Sequence, residues 1–126
     1  MNIPPELLYT EDHEWVRIEK DFAYIGITDF AQSELGDIVY VEIETVGETL
    51  KQNDVFGSVE AVKAVSDLFL PVNGEVLELN PILESSPELV NTYPYSEGWM
   101  IKLKIDANAD IEGLLKADAY ALLIGS

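Results

Sequence analysis

The chain has 126 residues, 48% of them hydrophobic, enough for one globular domain that buries roughly 60 to 70% of the surface its unfolded form exposes. Seven basic against 24 acidic side chains leave a formal net charge of −17, which repels phosphate backbones and anionic membranes and removes the usual electrostatic route to nucleic acid. With no cysteine there is no disulfide, no thiolate nucleophile and no zinc-thiolate site.

The opening Met1-Asn-Ile-Pro-Pro-Glu-Leu-Leu8 lacks the basic start and long apolar run of a secretory signal, and the arginines of a transit peptide. No segment has membrane-spanning length. The expectation is a cytoplasmic protein, or a mature matrix protein whose presequence has been removed. Glu11-Asp-His-Glu14 holds the single histidine, His13, among residue types that bind metals. An extended segment points consecutive side chains to opposite faces, so a locally hydrogen-bonded histidine is expected instead of a metal ligand. Trp15-Val-Arg-Ile18 and Phe22 to Ile27 read as strands paired across Glu19-Lys-Asp21. Thr28 caps a brief helix that runs through Leu35 and stops at Gly36. Ile38 to Ile43 is strand-like.

Val55, Phe56 and Val59 lead into Lys63, and Val65, Leu68, Phe69 and Leu70 lead out, with Glu60 and Asp67 on either side. This predicts a hairpin with Lys63 at its turn. Asn73-Gly74 accepts the positive φ angles of a two-residue hairpin turn and predicts a further return strand from Glu75 to Leu79. Ser86 and Pro87 read as N-cap and first residue of a short helix. The clearest strand is Trp99-Met-Ile-Lys-Leu-Lys-Ile105, where Trp99, Ile101, Leu103 and Ile105 share one face and Lys102 and Lys104 the other. Ile111, Leu114 and Leu115, then Tyr120, Leu123 and Ile124, lie at helical spacing, which predicts a C-terminal helical segment over about 108–124 with Asp110 and Asp118 as caps. No low-complexity linker interrupts the chain, so residues 1–126 read as a single domain. Many short strands with Gly, Pro and Asn between them indicate an all-β sandwich or barrel with short peripheral helices. Trp15 and Trp99 are expected in its core.

Catalytic groups are scarce. Ser58 and Ser66 have no nearby base, no glycine-rich phosphate loop is present, and one histidine among scattered acids does not make a triad. The chain therefore reads as a carrier or binding module. A lysine at a turn is in most chains a solvated charge that blunts a sheet edge, and Lys63 taken alone means no more than that.

Ordered blocks along nearly the whole chain give Lys63 a different meaning. They are Tyr9-Thr-Glu-Asp-His-Glu-Trp-Val16, Gly26-Ile-Thr-Asp-Phe-Ala-Gln32, Leu35-Gly-Asp-Ile-Val-Tyr-Val-Glu42, Val59-Glu-Ala-Val-Lys-Ala-Val-Ser-Asp67, Pro71-Val-Asn-Gly-Glu-Val76, Pro87-Glu-Leu-Val-Asn91 and Pro94-Tyr-Ser-Glu-Gly-Trp99. In these the sequence resembles the lipoyl-bearing H proteins of the glycine cleavage system. The resemblance implies an antiparallel barrel-sandwich hybrid of the lipoyl/biotinyl-carrier type, in which Val55 to Leu79 forms a modifiable hairpin and its return strand.

It also implies that lipoate is attached to Lys63 as an amide by a lipoate ligase or lipoyl transferase. The implied role is a non-catalytic, monomeric shuttle. It takes an aminomethyl group from a pyridoxal-phosphate glycine decarboxylase to a tetrahydrofolate-dependent aminomethyltransferase, and its dithiol is reoxidised by dihydrolipoyl dehydrogenase. Glu14 and Asp67 are the candidates for polar contacts to the docked arm, since a carboxylate can hold a protonated nitrogen by a charge-assisted bond. Glu60 is a candidate for recognition by the modifying enzyme.

The sequence departs from the family pattern in places. Ala61 stands where a serine is common before Val62, Glu44-Thr45 replaces Pro-Glu, and Glu34 occupies a position near the cleft that carries histidine in relatives. An H-like relay that donates lipoyl groups to 2-oxoacid dehydrogenases, or serves a separate lipoylation pathway, is the alternative. A biotinyl carrier is disfavoured, because Val62 and Ala64 flank Lys63 where methionines are usual. An acidic interaction protein without a prosthetic group is the reading from a different class.

Overall fold

The computed structural model describes residues 1–125. The period-two pattern read at Trp99 to Ile105 becomes strand β9 (Ile101–Ile105), with Ile101 and Leu103 fully buried and Lys104 in solvent. In chain order the elements before it are β1 (Leu8–Tyr9), β2 (Glu14–Glu19), β3 (Phe22–Ile27), α1 (Asp29–Leu35), β4 (Ile38–Glu42), β5 (Thr49–Leu50), β6 (Val55–Ala61), β7 (Val65–Phe69), β8 (Gly74–Leu79), α2 (Ile82–Ser85) and α3 (Leu89–Thr92); α4 (Ala117–Leu123) follows. The strands form two antiparallel sheets: one of six strands in the order β1-β2-β3-β9-β8-β5, and one of three in the order β4-β6-β7.

The main core lies between these sheets, where Val16, Ile25 and Leu103 of the larger meet Phe56, Val59 and Leu68 of the smaller. On β2 three successive residues, Glu14, Trp15 and Val16, are buried. Alternation sends Glu14 and Val16 toward the smaller sheet and Trp15 to the opposite face. There Trp15 meets a second cluster with Leu7, Tyr9 and Tyr120, and its indole N–H donates to the Pro94 carbonyl at 2.8 Å. Its cross-strand partner is Gly26, where an added Cβ would sit 2.8 Å from the indole nitrogen. Trp99, expected in the core on the face of Ile101 and Leu103, instead precedes the strand and is half-buried against this second cluster, edge-on to Tyr24 with ring centroids 5.3 Å apart, while Met100 takes the buried place in the main core.

The capping of α1 follows the sequence reading. Thr28 Oγ1 accepts from Ala31 N–H at 3.1 Å, and Gly36, at φ 81°, ends the helix with its N–H on the Gln32 carbonyl.

Three other expectations need correction. Asn73-Gly74 is not a hairpin turn: neither residue has positive φ, and β7 and β8 belong to different sheets. The segment after β7 crosses from the small sheet to the large one, and Gly74 is required because a Cβ there would meet the Lys104 carbonyl at 2.5 Å. The hairpin is thus β6-β7 alone, with β8 paired to β5 and β9. Ser86 does not cap a helix with its side chain; α3 starts after Glu88, and it is the Ser86 carbonyl that accepts, from Leu89 N–H.

The C-terminal helix spans only Ala117–Leu123. The preceding segment is drawn into a bridge in which Tyr9 and Leu115 exchange N–H to carbonyl bonds of 2.8 Å, so sheet pairing overrides the helical spacing of Ile111 to Leu115. Asp110 caps a local turn at Gly113 N–H, while Asp118 lies in the first turn of α4 without a side-chain capping bond.

Replacing Gly26 with Ala forces a methyl group into the indole of Trp15. We expect a loss of about 2 kcal/mol, measured by urea denaturation followed through tryptophan fluorescence.

Candidate functional site

Antiparallel pairing carries β6 and β7 up to Glu60 opposite Val65, and the Ala61 N–H then closes on the Ala64 carbonyl at 2.7 Å. Val62, Lys63 and Ala64 are left as the exposed tip. The tip is tied down by Val62 N–H, which donates to the Asp37 carbonyl at 3.2 Å. Val62 and Val65, on either side of the lysine, are 70% and 69% exposed. Among the described residues Lys63 joins no ion pair. Its side chain is free for chemistry from outside.

Lys63 and Val62 line a hollow of about 390 Å³ with Glu34, Leu35 and Asp37. Glu34 and Leu35 are also part of the wall of a cleft of about 250 Å³, which continues past Phe30 and Ala31 of α1 to His13, Glu14, Ser66 and Asp67. Helix α1 is therefore the common wall between the lysine tip and the carboxyls. Asn91 of α3 fixes the end of that wall: its side chain accepts from Ile38 N–H and donates to Gln32 Oε1 and the Gly36 carbonyl, all at 2.9 Å.

Glu14 is 2% exposed and stands at the mouth of the inter-sheet core. β7 is an edge strand, and its Phe69 N–H donates to Glu14 Oε2 at 3.1 Å; the Thr10 hydroxyl donates to Oε1 at 2.8 Å. The carboxyl thereby bridges the two sheets. Burial pushes its pKa up to about 8, against the opposing effect of the Phe69 and Thr10 bonds and with a small addition from Asp12. Near neutral pH it is on the verge of ionising.

The structure brings Glu14 and Asp67 to the same cleft, and Lys63 to the adjoining hollow. Asp67 pairs with Ser58 on the exposed side of the small sheet and reaches the cleft from its rim. Glu60 is exposed between Tyr40 and Val65 and lines neither cavity. His13, at φ 68°, is hydrogen-bonded across the fold and not locally as expected: its Nδ1 lies 2.9 Å from the hydroxyl of Tyr120, 107 residues away. Among the described residues no cluster of His, Cys, Asp and Glu is arranged to hold a metal ion.

Sequence reasoning missed Thr10, Phe30 and the backbone of Phe69, and it read Tyr120 only as part of an apolar helix face. The 55-residue separation of Phe69 from Glu14 and the 107-residue separation of Tyr120 from His13 left no local pattern to find.

Two facing sheets with an exposed lysine at a tight hairpin tip define the lipoyl-carrier barrel-sandwich class. The crystal structure of a glycine cleavage system H protein from Mycobacterium marinum superimposes with a TM-score of 0.90 at 36% identity, covering 98% of this chain and 100% of that one. The family model for the glycine cleavage H-protein matches residues 7–125, and the chain belongs to that family. Among relatives, the glycine cleavage system H protein of Bacteroides fragilis is 56% identical over 126 residues, all of both chains. That of Salinibacter ruber is 56% identical over 121 residues, 96% of this chain and 98% of its own. The role is accordingly that of the lipoyl carrier in glycine cleavage, and the relay alternative is not favoured.

A carboxyl whose pKa rises from its ordinary 4.5 to about 8 on folding is ionised in the unfolded chain before it is in the folded one. The unfolded state binds fewer protons between these values, so Glu14 makes stability fall as pH rises through that window. Comparing denaturation at pH 5 and pH 8, we expect Glu14→Gln to reduce the wild-type loss by about 2 kcal/mol or more.

Proposed function

We propose that Lys63 is the attachment point for lipoate, and that the arm docks in the cleft that ends at Glu14 and Asp67. The carrying observation is the placement of a free lysine at a pinned tip whose hollow shares the α1 wall of that cleft. The fit is chemical as well as geometric: an amine without an ion-pair partner is open to acylation, and the cleft wall is apolar at Ile27, Phe30, Leu35 and Leu68 while polar at its far end. When bound, lipoate supplies a dithiolane able to take up an aminomethyl group and two electrons.

The chain's own residues position and protect. Glu14, held by Phe69 N–H and Thr10, loses its proton when a cationic nitrogen approaches and becomes its counter-ion. Asp67 adds a carboxylate at the rim, and the apolar wall keeps water from the docked end. The reading is of a non-catalytic carrier that meets glycine decarboxylase with its pyridoxal phosphate, a tetrahydrofolate-dependent aminomethyltransferase and dihydrolipoyl dehydrogenase in turn. A lipoate ligase or lipoyl transferase modifies it, with the exposed Glu60 beside the tip as a recognition point. The bacterial sources of its relatives support a cytoplasmic location.

Intact mass of protein isolated from its host is expected to show a lipoyl-sized increment that disappears in Lys63→Arg; an unmodified wild type overturns the assignment. With glycine decarboxylase added, the wild-type holoprotein supports glycine-bicarbonate exchange and Lys63→Arg does not. In the loaded carrier, Glu14→Ala is expected to speed hydrolysis of the bound aminomethyl group by about tenfold or more, the worth of a hydrogen bond to a charged group. An unchanged rate removes Glu14 from the role.

A further inference from the structure

His13 lines the cleft beside Glu14, against Phe30 of α1 at a centroid distance of 4.9 Å and edge-on to Tyr120 of α4 at 5.8 Å. Which of its ring nitrogens bears the proton follows from hydrogen bookkeeping in the buried layer behind it. Thr28 is fully buried, and its hydroxyl meets the Ala31 N–H at 3.1 Å and the Tyr120 hydroxyl at 2.7 Å. The Ala31 N–H only donates, so the Tyr120 oxygen is the acceptor for the Thr28 proton. Tyr120 then turns its own proton to His13 Nδ1, 2.9 Å away. Nδ1 is therefore the bare nitrogen, and a neutral ring has its proton on Nε2, which has no protein partner among the described residues. A proton on Nδ1 would leave either the Thr28 or the Tyr120 hydroxyl proton without an acceptor in a site closed to water.

A doubly protonated imidazole meets the same obstacle, because a Tyr120 oxygen that accepts from both Thr28 and Nδ1–H leaves its own phenolic proton without an acceptor. The charged groups around His13 act in the other direction: Asp12 on its own segment and Glu34 on α1 favour the cation, but burial outweighs them and its pKa is lowered. Glu14 beside it and Asp67 across the cleft complete the titratable groups lining the cavity, and Tyr120, raised by burial, keeps its phenolic proton.

We propose that Thr28 and Tyr120 lock His13 into its neutral Nε2–H form, so that the cleft wall offers the docked arm a hydrogen-bond donor without a positive charge. A cationic His13 would compete with the arm's ammonium for Glu14; a neutral one leaves that carboxylate free. His13 is thus a binding residue, and Tyr120 and Thr28 are positioning residues that act through it. The contact to the arm rests on the docking reading above; the tautomer does not.

Nitrogen-15 NMR of the imidazole in the unlipoylated protein reads the tautomer directly, and with one histidine in the chain the signal needs no assignment. The expected result is Nε2–H alone, beyond the excess of that tautomer already present in free histidine, and a midpoint below the usual 6.5. An Nδ1–H form, or a mixture no richer in Nε2–H than free histidine, overturns the proposal. Tyr120→Phe keeps the ring that stacks on Tyr9 at 4.7 Å while removing the hydroxyl, and should bring the tautomers toward the mixture of free histidine and raise the midpoint. Thr28→Val should do the same and Thr28→Ser should not; an unchanged tautomer in both Tyr120→Phe and Thr28→Val overturns the lock.

In the loaded carrier Tyr120→Phe is expected to speed hydrolysis about fivefold, the worth of one neutral hydrogen bond, most strongly where His13 becomes charged. No change there, with Glu14→Ala still accelerating, overturns the role of His13 in the cleft while docking stands. No change in either variant removes the docking reading itself.

Discussion

The carboxyl of Glu14 in the seam between two sheets is the constraint on which the site depends. One oxygen is held by Thr10 beside β2 and the other by the edge of β7, so a group that would ordinarily seek water ties the six-stranded sheet to the three-stranded one. Edge strands usually leave unpaired N–H groups to solvent; here one of them is used inward. The cost is a carboxyl without a charge partner, tolerated because both oxygens are bonded and because neutral pH lets it keep its proton. What would be a defect in a plain structural domain is, in the docking proposed above, an acceptor that gains its charge when a cation arrives.

The smaller sheet sets where the lysine goes. β6 and β7 form a tight hairpin whose register places Lys63 past the last pair, and the Val62 bond to Asp37 stops the tip from swinging away from α1. Asn91 anchors the same C-terminal end of that helix to the start of β4. Lysine, helix and carboxyl thus belong to one braced frame, which would give the proposed arm on Lys63 fixed points at which to start and end. On that proposal the freedom needed for transfer between enzymes resides in the arm.

Local signals in the sequence were sound where neighbours alone decide structure. The alternation of Ile101 to Ile105, the β2-β3 hairpin and the Thr28 to Gly36 helix with both its caps were legible because each depends on residues a few positions apart. Asn73-Gly74 misled, since the same dipeptide serves a crossing between sheets where glycine is needed for its missing side chain and not for its φ. The C-terminal spacing misled because pairing of Leu115 with Tyr9 overrode helical preference. Around the cleft, Lys63, Glu14 and Asp67 were singled out as candidates through ordered motifs, while the groups that hold Glu14 and His13 come from distant parts of the chain and meet only in the folded molecule.

The exposed face of the small sheet has a consequence for how the protein behaves in a crowd. Val39 and Tyr40 lie open on the edge strand β4, and Val55 and Val65 are open on the hairpin, a composition that invites strand-to-strand association between copies. Glu42, Glu44, Glu60 and Asp67 occupy or flank the same face, and none of them is paired with a cation among the described residues. Mutual repulsion keeps such faces apart near neutrality. The guard is electrostatic and so depends on the medium: added salt screens it and leaves the same apolar edge less protected.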